Sequence, residues 1–208
     1  METFRGYKIK GRKGLSNWSS LLEEWLLAIE RYCRLMDGED APYYYNERAN
    51  ISVLSGAAWR AGWVSLEEFQ QEKGYSNQKK KNGRADLWLA SEKDSELVEA
   101  KYKWICMESN EMARIINEIM ESASDDVKKS RASSKNIKAI GIGFFPVYKN
   151  KKHVQDIDKL IESTINEFKK QNFHAMAWCF PKEMRGYVSK KSNNMLPGII
   201  MLAKNIDY

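Results

Sequence analysis

Cysteine and histidine are scarce in this chain, and their positions exclude several kinds of site. The three cysteines lie far apart and form no CxxC pair, so neither a disulfide framework nor a zinc ribbon is expected. The two histidines, His153 and His174, have no metal-ligating neighbours in the sequence, which argues against a zinc-dependent or HNH-type nuclease. The patterns GxxxxGK[ST] and GxSxG are also absent, so NTP-driven and simple serine-hydrolase chemistry are not expected.

Long apolar runs are missing as well. No stretch approaches the roughly 18 consecutive apolar residues that a membrane-spanning helix requires. The basic N-terminus, METFRGYKIKGRKG, contains no apolar segment of the kind that a secretory signal needs. We therefore expect a cytoplasmic protein that has no membrane partner.

Length and composition describe a globular chain with a mildly basic surface. Of its 208 residues, 43% are hydrophobic and 30% are charged, and the net charge is +6. This length suits a single domain with a sizeable core. The excess of positive charge favours, weakly, an anionic partner such as nucleic acid.

Hydrophobic periodicity predicts the order of helices and strands. An amphipathic helix is expected at 16–36, where Asp37-Gly38 ends it, and a second helix at 46–61, where Gly62 ends it. The tryptophans near the end of the second helix, Trp59 and Trp63, are expected in the core. The remaining predictions are strands at 64–73, 84–91 and 96–103, a helix at 108–131, a strand at 137–148, a helix at 153–171, a strand at 173–180, and a final hairpin whose stronger half is 198–204. This order predicts an α/β fold in which a central mixed sheet is flanked by helices.

The predicted hairpin GRADLWLASEKDSELVEAKYKW, residues 83–104, carries ionisable side chains where apolar ones would suffice. If Lys93-Asp94 forms the centre of the turn, Asp86 lies opposite Lys101, and Trp88 lies opposite Glu99. Alternation along the strands then places Asp86, Glu99 and Lys101 on one face. The other face is apolar and carries Ala85, Leu87, Leu89, Val98, Ala100 and Tyr102. A cross-strand salt bridge on a solvated face would explain the same pattern, and a register shift of one residue would abolish the shared face.

Carboxylates that converge from neighbouring strands suit a hard cation such as Mg²⁺, which prefers oxygen ligands and keeps several waters. A lysine beside that ion can orient a bound water or stabilise charge on a phosphate. Phosphodiester hydrolysis needs these parts. Two further acid-x-lysine tripeptides, at 126–128 and 167–169, fall in predicted helices and are expected to lie on solvated faces.

Asp86, twelve intervening residues and then Glu99-x-Lys101 resemble the motif of the PD-(D/E)xK nuclease superfamily, which has the restriction-endonuclease-like fold. The core order of that superfamily is helix, three strands, helix, strand, and residues 46–145 can be threaded onto it. Ala85 stands where the superfamily often has proline. The resemblance covers only this core, about half of the chain. The basic arm at 1–14, the accessory helix at 16–36 and a C-terminal extension of the sheet at 150–208 lie outside it, and we expect all of them to belong to a single domain.

The resemblance also implies roles for individual residues. Asp86 and Glu99 would ligate Mg²⁺ or Mn²⁺, and the backbone carbonyl of Ala100 would add a further ligand. Lys101 would position or activate the attacking water. Glu47, on the helix that matches the first core helix, would bind a second ion or a metal-bound water.

The role of Glu47 has alternatives. The acids of the first predicted strand, Glu67, Glu68 and Glu72, could complete the site in its place. An acid in the first turn of a helix also interacts favourably with the helix dipole, which explains Glu47 without a metal.

Basic residues around the hairpin are expected to bind nucleic acid; they are Lys79, Lys80, Lys81, Arg84 and Lys103. A cationic loop can hold a phosphate backbone without reading its sequence, although such a loop can also serve solubility alone. The expected function is a metal-dependent endonuclease that acts on nucleic acid, with DNA favoured, and the chain could form a homodimer. Two alternatives stay open: a nucleic-acid-binding protein with this fold and no catalysis, and a protein-interaction module that assembles through helix 16–36.

Overall fold

A computed structural model describes residues 4–11, 15–74, 81–131, 137–150 and 156–207. Within these ranges an eight-stranded mixed sheet is flanked by four α-helices, which confirms the predicted α/β class. The helices are α1 (Ser19–Leu35), α2 (Glu47–Arg60), α3 (Met112–Arg131) and α4 (Ile157–Lys169). The strands are β1 (Phe4–Ile9), β2 (Val64–Lys73), β3 (Lys81–Ala90), β4 (Ser95–Tyr102), β5 (Ile105–Cys106), β6 (Lys138–Asn150), β7 (Ala175–Phe180) and β8 (Asn194–Asn205).

The sheet has the strand order β1-β7-β8-β6-β4-β3-β2, and the short β5 also pairs with β6. Strands β4 and β6 are parallel, and α3 forms the crossover between them. A crossover between parallel neighbours lays its helix across one face of the sheet and antiparallel to both strands. The helix α3 therefore covers the face of β4 that carries the odd-numbered residues.

The helices form two layers, one on each face of the sheet. The larger core lies under α1 and α2, where Leu22, Trp25 and Leu54 pack against Leu87 and Val98 of the sheet. The second core lies under α3 and α4. The apolar stripe predicted for helix 16–36 is buried in the first core except for Tyr32, which is partly exposed. Its buried members are Trp18, Leu21, Leu22, Trp25, Leu26, Ile29 and Cys33. That stripe stabilises the domain and is not available to a partner.

Two local features position the elements around the central strands. The side chain of Asn46 accepts a hydrogen bond from the backbone N–H of Ala49 at 3.0 Å, and this N-cap fixes the start of α2 at Glu47. On β6, a Cβ atom added at Gly141 would lie 3.0 Å from the backbone nitrogen of Ser124. The missing side chain of Gly141 therefore lets α3 approach the sheet closely.

Within the described part of the predicted basic arm, residues 4–9 form a strand. Strand β1 pairs antiparallel with β7 at one edge of the sheet, and Arg5 contacts Glu30 of α1 at 2.7 Å. Edge strands commonly carry charged side chains on their solvent face. The charged residues of β1 follow this rule, and they are the reason why the sequence predicted a basic arm here. Residues 1–3 and 12–14 of the predicted arm lie outside the described ranges.

Other predictions need smaller corrections. Strand β8 begins at Asn194 and pairs with β6 and β7. The first half of the predicted C-terminal hairpin does not form a strand, and a single bridge between Val188 and Met195 stands in its place. The two-residue β5 was not predicted because it is too short for a periodic pattern. Trp63 is buried as expected, whereas Trp59 is 58% exposed on the outer face of α2. No helix within the described ranges is long and apolar enough to cross a membrane.

Candidate functional site

The hairpin of β3 and β4 is shifted by two residues from the predicted register. Leu87 lies opposite Val98 and Trp88 lies opposite Leu97, so the prediction that Asp86 faces Lys101 is wrong. The hydroxyl of Ser91 accepts hydrogen bonds from the N–H groups of Lys93 and Asp94, at 3.3 Å each, and these bonds move the turn toward its N-terminal side.

The two-residue shift leaves the predicted faces of the hairpin unchanged, because side chains alternate with a period of two. Asp86, Glu99 and Lys101 therefore still share one face. On the other face, Leu87, Leu89, Val98 and Ala100 are buried under α1 and α2, as predicted, and Tyr102 packs against them.

Ala85 is the exception to the apolar face. It packs with Phe69, Leu97 and Val127 in a small third cluster and not in the core under α1 and α2. The reason is an irregularity in the neighbouring ladder, which skips the pair of Glu68 and Asp86. Glu68 has a φ of 51° at this point, a conformation that a regular strand does not contain.

Asp86 lies where β3 and β4 separate. Regular pairing of the two strands ends at Leu87 and Val98, and beyond this point the carboxylate of Asp86 accepts the backbone N–H of Ala100 at 2.8 Å. In a continued β3–β4 ladder a backbone carbonyl of β3 would accept this N–H; here the carboxylate of Asp86 takes the place of that carbonyl. Since the N–H and C=O of one strand residue point to the same side, the carbonyl of Ala100 also faces β3 and Asp86.

Glu99 is a buried carboxylate that two side chains hold. It is 2% exposed, and its Oε1 accepts hydrogen bonds from the ammonium of Lys73, at 2.7 Å, and from the hydroxyl of Ser130. Burial, and next the charge of Asp86, raise the pKa of Glu99 to about 7 in spite of these two donors. Near neutral pH the carboxyl group is therefore poised between its two protonation states.

Lys101 forms an ion pair across the face of the sheet with Asp126 of α3, at 2.6 Å. Burial alone would lower the pKa of Lys101, but the hydrogen bond and charge of Asp126 raise it above its ordinary value. Burial would raise the pKa of Asp126, but hydrogen bonds from Lys101 and Lys129 lower it. The ammonium of Lys101 is consequently charged throughout the physiological range.

Asp126 was predicted to lie on a solvated helix face, and it is only partly solvated, with its side chain 32% exposed. The buried stripe of α3 includes Ala123, Val127 and Ser130, and Asp126 borders this stripe on the side of Lys101. Its neighbour Asp125 does point outward, where it pairs with Lys128 at 2.9 Å. In the second tripeptide, Glu167 is partly exposed and pairs with the exposed Lys170, whereas the ammonium of Lys169 lies over the ring of Trp178.

Glu47 and Glu68 are the further acids beside this group. Glu47, in the first turn of α2, is half-buried, and burial and then the charge of Asp86 raise its pKa. The charge of Glu68 raises the same pKa, and Lys101 opposes the effect. Glu68 itself lies 3.1 Å from the guanidinium of Arg48 and 3.6 Å from that of Arg84. Glu47 thus shares the electrostatic environment of Asp86 and Lys101.

The other two acids of β2 occupy ordinary strand positions, with Glu67 opposite Leu87 and Glu72 opposite Asn82.

The predicted nucleic-acid contacts are only partly covered by the structure. Lys79 and Lys80 lie outside the described ranges. Lys81 begins β3 and is exposed, and Arg84 is exposed beside Glu68. Lys103 is exposed directly after β4, with its backbone N–H donating to the carbonyl of Phe144. Lys81 and Arg84 thus lie on the strand that carries Asp86, and Lys103 directly follows the strand that carries Lys101.

Three residues of the group were not identified from the sequence: Lys73, Asp126 and Ser130. Each contacts a partner on β4 that is 25 or more positions away along the chain. A signal existed for Ser130, which falls on the apolar stripe of its helix and therefore needs a buried hydrogen-bond partner. No local pattern marks Lys73 or Asp126.

The donor set suits a hydrated hard cation. Within the part of the chain that the structure describes, no three His, Cys, Asp or Glu side chains form a metal-holding group. Mg²⁺, however, is usually bound by one or two carboxylates and keeps several waters. The charge of Asp86 raises the pKa of both Glu47 and Glu99, which is the repulsion that a cation would relieve. Asp86, Glu99 and the carbonyl of Ala100 therefore fit such an ion.

Comparison of the chain with family models, with curated proteins and with solved structures finds no match. The functional interpretation therefore depends on the site residues and their geometry.

Proposed function

We propose that the protein is a metal-dependent nuclease of the PD-(D/E)xK type that hydrolyses phosphodiester bonds, with DNA as the favoured substrate. One observation carries the proposal: Asp86, Glu99 and Lys101 share a face where β3 and β4 separate, and Asp86 reaches the backbone of Ala100. A salt bridge on a solvated face, the simpler explanation of the motif, does not account for a carboxylate that is 2% exposed.

Asp86, Glu99 and the carbonyl of Ala100 would hold one Mg²⁺ or Mn²⁺ ion. When bound, such an ion supplies a Lewis acid for the phosphate and lowers the pKa of a coordinated water. Ser130 and Lys73 hold the carboxylate of Glu99 in position through Oε1. Glu47, whose pKa is raised by burial and by the charge of Asp86, would orient the attacking water and accept its proton.

Lys101 would act as a charged donor and not as a base. Its pKa is raised by Asp126, so the ammonium keeps its proton at neutral pH. A fixed ammonium can hold the attacking water by a hydrogen bond and can stabilise negative charge on the phosphate. Asp126 is accordingly a positioning residue, which acts through Lys101.

Exposed cations on both sides of this group support a nucleic-acid substrate. Arg84 precedes Asp86 by two residues and Lys103 follows Lys101 by two. Contacts of this kind with phosphates position a backbone without reading its sequence. Together with the net charge of +6, they favour a polyanionic substrate over a small ester.

The experiment that tests the proposal is incubation of the protein with supercoiled plasmid, single-stranded DNA and structured RNA in Mg²⁺ or Mn²⁺. We expect cleavage that EDTA abolishes and that the variant Lys101→Ala loses. The matched control is Lys128→Ala, which removes an exposed lysine of α3 that pairs with Asp125. Absence of cleavage of all three substrates in both metals, or wild-type cleavage by Lys101→Ala, would contradict the proposal.

A second candidate function is nucleic-acid binding without hydrolysis. The ion pairs of Lys73 with the buried Glu99 and of Lys101 with the partly exposed Asp126 satisfy both acids without a metal, and this observation favours a structural role for them. A protein of this kind would shift plasmid in a gel in the presence of EDTA. The shift would be the same for wild-type protein and Lys101→Ala, and no cleavage would accompany it.

A further inference from the structure

A group of aromatic rings lies just beyond the end of β4. Trp104 stands at its centre, with ring centroids 6.2 Å from Tyr44, 6.3 Å from Tyr102 and 6.4 Å from Tyr148. Tyr44 in turn stacks on Tyr187 at 5.7 Å. The hydroxyl of Tyr102 donates to the backbone carbonyl of Tyr43 at 3.0 Å, which fixes its ring in place. The sequence analysis assigned no role to Trp104 or Tyr148.

Two open cavities share Trp104 and Tyr148 as lining residues. The first, of about 430 Å³, is also lined by Lys103 and Ser109, and the second, of about 310 Å³, by Lys191 and Asn194. Sites for small organic groups start at about 300 Å³ and combine aromatic walls with a few polar groups. Each cavity is therefore large enough for a planar ring and offers polar atoms beside the aromatic surface.

The two rings are not needed to complete a core. Among the residues that the structure describes, Trp104 and Tyr148 belong to none of the hydrophobic clusters, and both are partly exposed. Tyr44, Tyr102 and Tyr187, by contrast, pack against the core under α1 and α2. The core thus anchors one side of the aromatic group and leaves Trp104 and Tyr148 facing the cavities.

The position and charge of the cavities connect them with the candidate site. Trp104 follows Lys101 by three residues, which places their backbones within about 10 Å at the rise of an extended chain. Lys103 and Lys191, one on each cavity, are both exposed. Rings that alternate with exposed cations are the arrangement by which proteins hold single-stranded nucleic acid, with bases on the rings and phosphates on the cations.

We infer that Trp104 and Tyr148 bind unpaired nucleobases, so that single-stranded DNA, or a duplex with an unpaired segment, is the preferred ligand beside the cleavage site. The inference rests on the proposed function and narrows its substrate. A paired and stacked base presents no free face to an aromatic ring, whereas an unpaired base does. A fully paired duplex would therefore contact the cations and leave both cavities unused.

Fluorescence anisotropy with a labelled thymidine 12-mer, compared with a blunt duplex of equal length, tests the inference in EDTA. The variants are Trp104→Leu, which keeps an apolar side chain without a ring, and Trp104→Phe, which keeps a ring. The matched control is Trp59→Leu, because Trp59 is exposed on α2 and lines neither cavity. We expect Trp104→Leu to weaken single-strand binding about tenfold, the effect of one stacked base. Duplex binding should stay within twofold, and Trp104→Phe and Trp59→Leu should bind like the wild type.

Three results would overturn the inference: wild-type affinity of folded Trp104→Leu for the single strand, equal weakening of single-strand and duplex binding, or no binding of either oligonucleotide. Tyr148→Leu tests the same cavities by the same criteria if Trp104→Leu does not fold. Because the assay contains no metal, its outcome is separate from hydrolysis. If the protein cleaves with metal but Trp104→Leu binds the single strand like the wild type, the inference fails and the proposed function stands. If Trp104→Leu weakens single-strand binding but the protein cleaves in no metal, the proposed hydrolysis fails and the inference about binding stands.

Discussion

Glu96 and Glu99 are buried carboxylates three residues apart on β4, and they face opposite sides of the sheet. Glu96 accepts a hydrogen bond from the indole N–H of Trp18 at 2.7 Å, on the side of α1. Glu99 is held by Lys73 and by Ser130 of α3. Strand β4 thus directs Glu96 into the core under α1 and Glu99 into the candidate site. A substitution of Glu96 can therefore serve as the control for the same substitution of Glu99.

Glu96 should make the stability of the fold depend on pH. Burial raises the pKa of Glu96 to about 8, whereas the unfolded chain releases this proton near the ordinary value of 4.5. Between these pH values the unfolded state binds fewer protons than the folded state. The free energy of unfolding therefore falls as the pH rises, by up to about 1.4 kcal/mol per pH unit.

The variant Glu96→Gln carries no titrating group at this position, so its stability should fall less steeply between pH 5 and 8. Urea unfolding at several pH values measures both slopes. Parallel slopes for the wild type and Glu96→Gln would contradict this prediction.

Glu99 should control the pH dependence of cleavage. Its pKa, raised to about 7 by burial and by Asp86, leaves the carboxyl group protonated in acid, where it is a poor metal ligand. At limiting Mg²⁺ the rate should rise through pH 7 to a plateau. A tenfold increase in Mg²⁺ should move the rise to lower pH, because metal and proton compete for the same oxygens. Initial nicking rates from pH 5.5 to 9 test this, and a rise that Mg²⁺ does not move would count against it.

Lys73 should hold Glu99 in its ionised form. The ammonium lies 2.7 Å from the carboxylate, so replacing it in Lys73→Met should raise the pKa of Glu99 further. The rise of the pH profile should then move to higher pH, and the plateau rate should change less than the rates in acid. Lys128→Met, which removes an exposed lysine, provides the control profile. An unchanged pH profile of cleavage for Lys73→Met would show that Lys73 only links β2 to β4 and does not affect the ionisation of Glu99.

Asp126 should act through Lys101, and its neighbour offers a matched control. Asp126→Asn removes the carboxylate 2.6 Å from Lys101, and the cleavage rate should fall about ten- to a hundredfold, as for other residues that orient a site group. Asp125→Asn, which alters an outward-facing pair with Lys128, should cleave like the wild type. DNA binding in EDTA should be unchanged in both variants.

A purely structural role of Asp126 would give a different pH profile. Loss of its charge lowers the pKa of Lys101, so Asp126→Asn should lose activity at a lower alkaline pH than the wild type does. A reduced rate with an unaltered alkaline limb would contradict the positioning role.

The sequence predicted those features that depend on local periodicity. The 3.6-residue pattern located α1, and alternation on β3 and β4 identified the apolar face and the shared face of Asp86, Glu99 and Lys101. The bounds of β2 were predicted correctly at 64–73. A register shift of two residues leaves every side chain on the same face of the strand. The shared face of Asp86, Glu99 and Lys101 was therefore predicted correctly, although the position of the turn was not.

The unpredicted features depend on long-range packing or on side chains in turns. The hydroxyl of Ser91 fixes the turn, and no propensity argument anticipates that bond. The pair of Lys101 and Asp126 exists because α3 lies close to the sheet over Gly141, a contact between segments far apart in the chain. The edge strand β1 was not predicted because most of its exposed side chains are charged, and a charged segment at a chain end also fits a basic arm.

The most direct test of the account compares cleavage by Glu99→Gln and Glu96→Gln in saturating Mg²⁺ at pH 8. Both variants neutralise a buried glutamate of β4, and only Glu99 belongs to the proposed metal site. The account predicts at least a hundredfold lower rate for Glu99→Gln and a nearly wild-type rate for Glu96→Gln, with both variants folded by circular dichroism. Wild-type cleavage by Glu99→Gln would contradict the central claim that this face of β4 carries the chemistry.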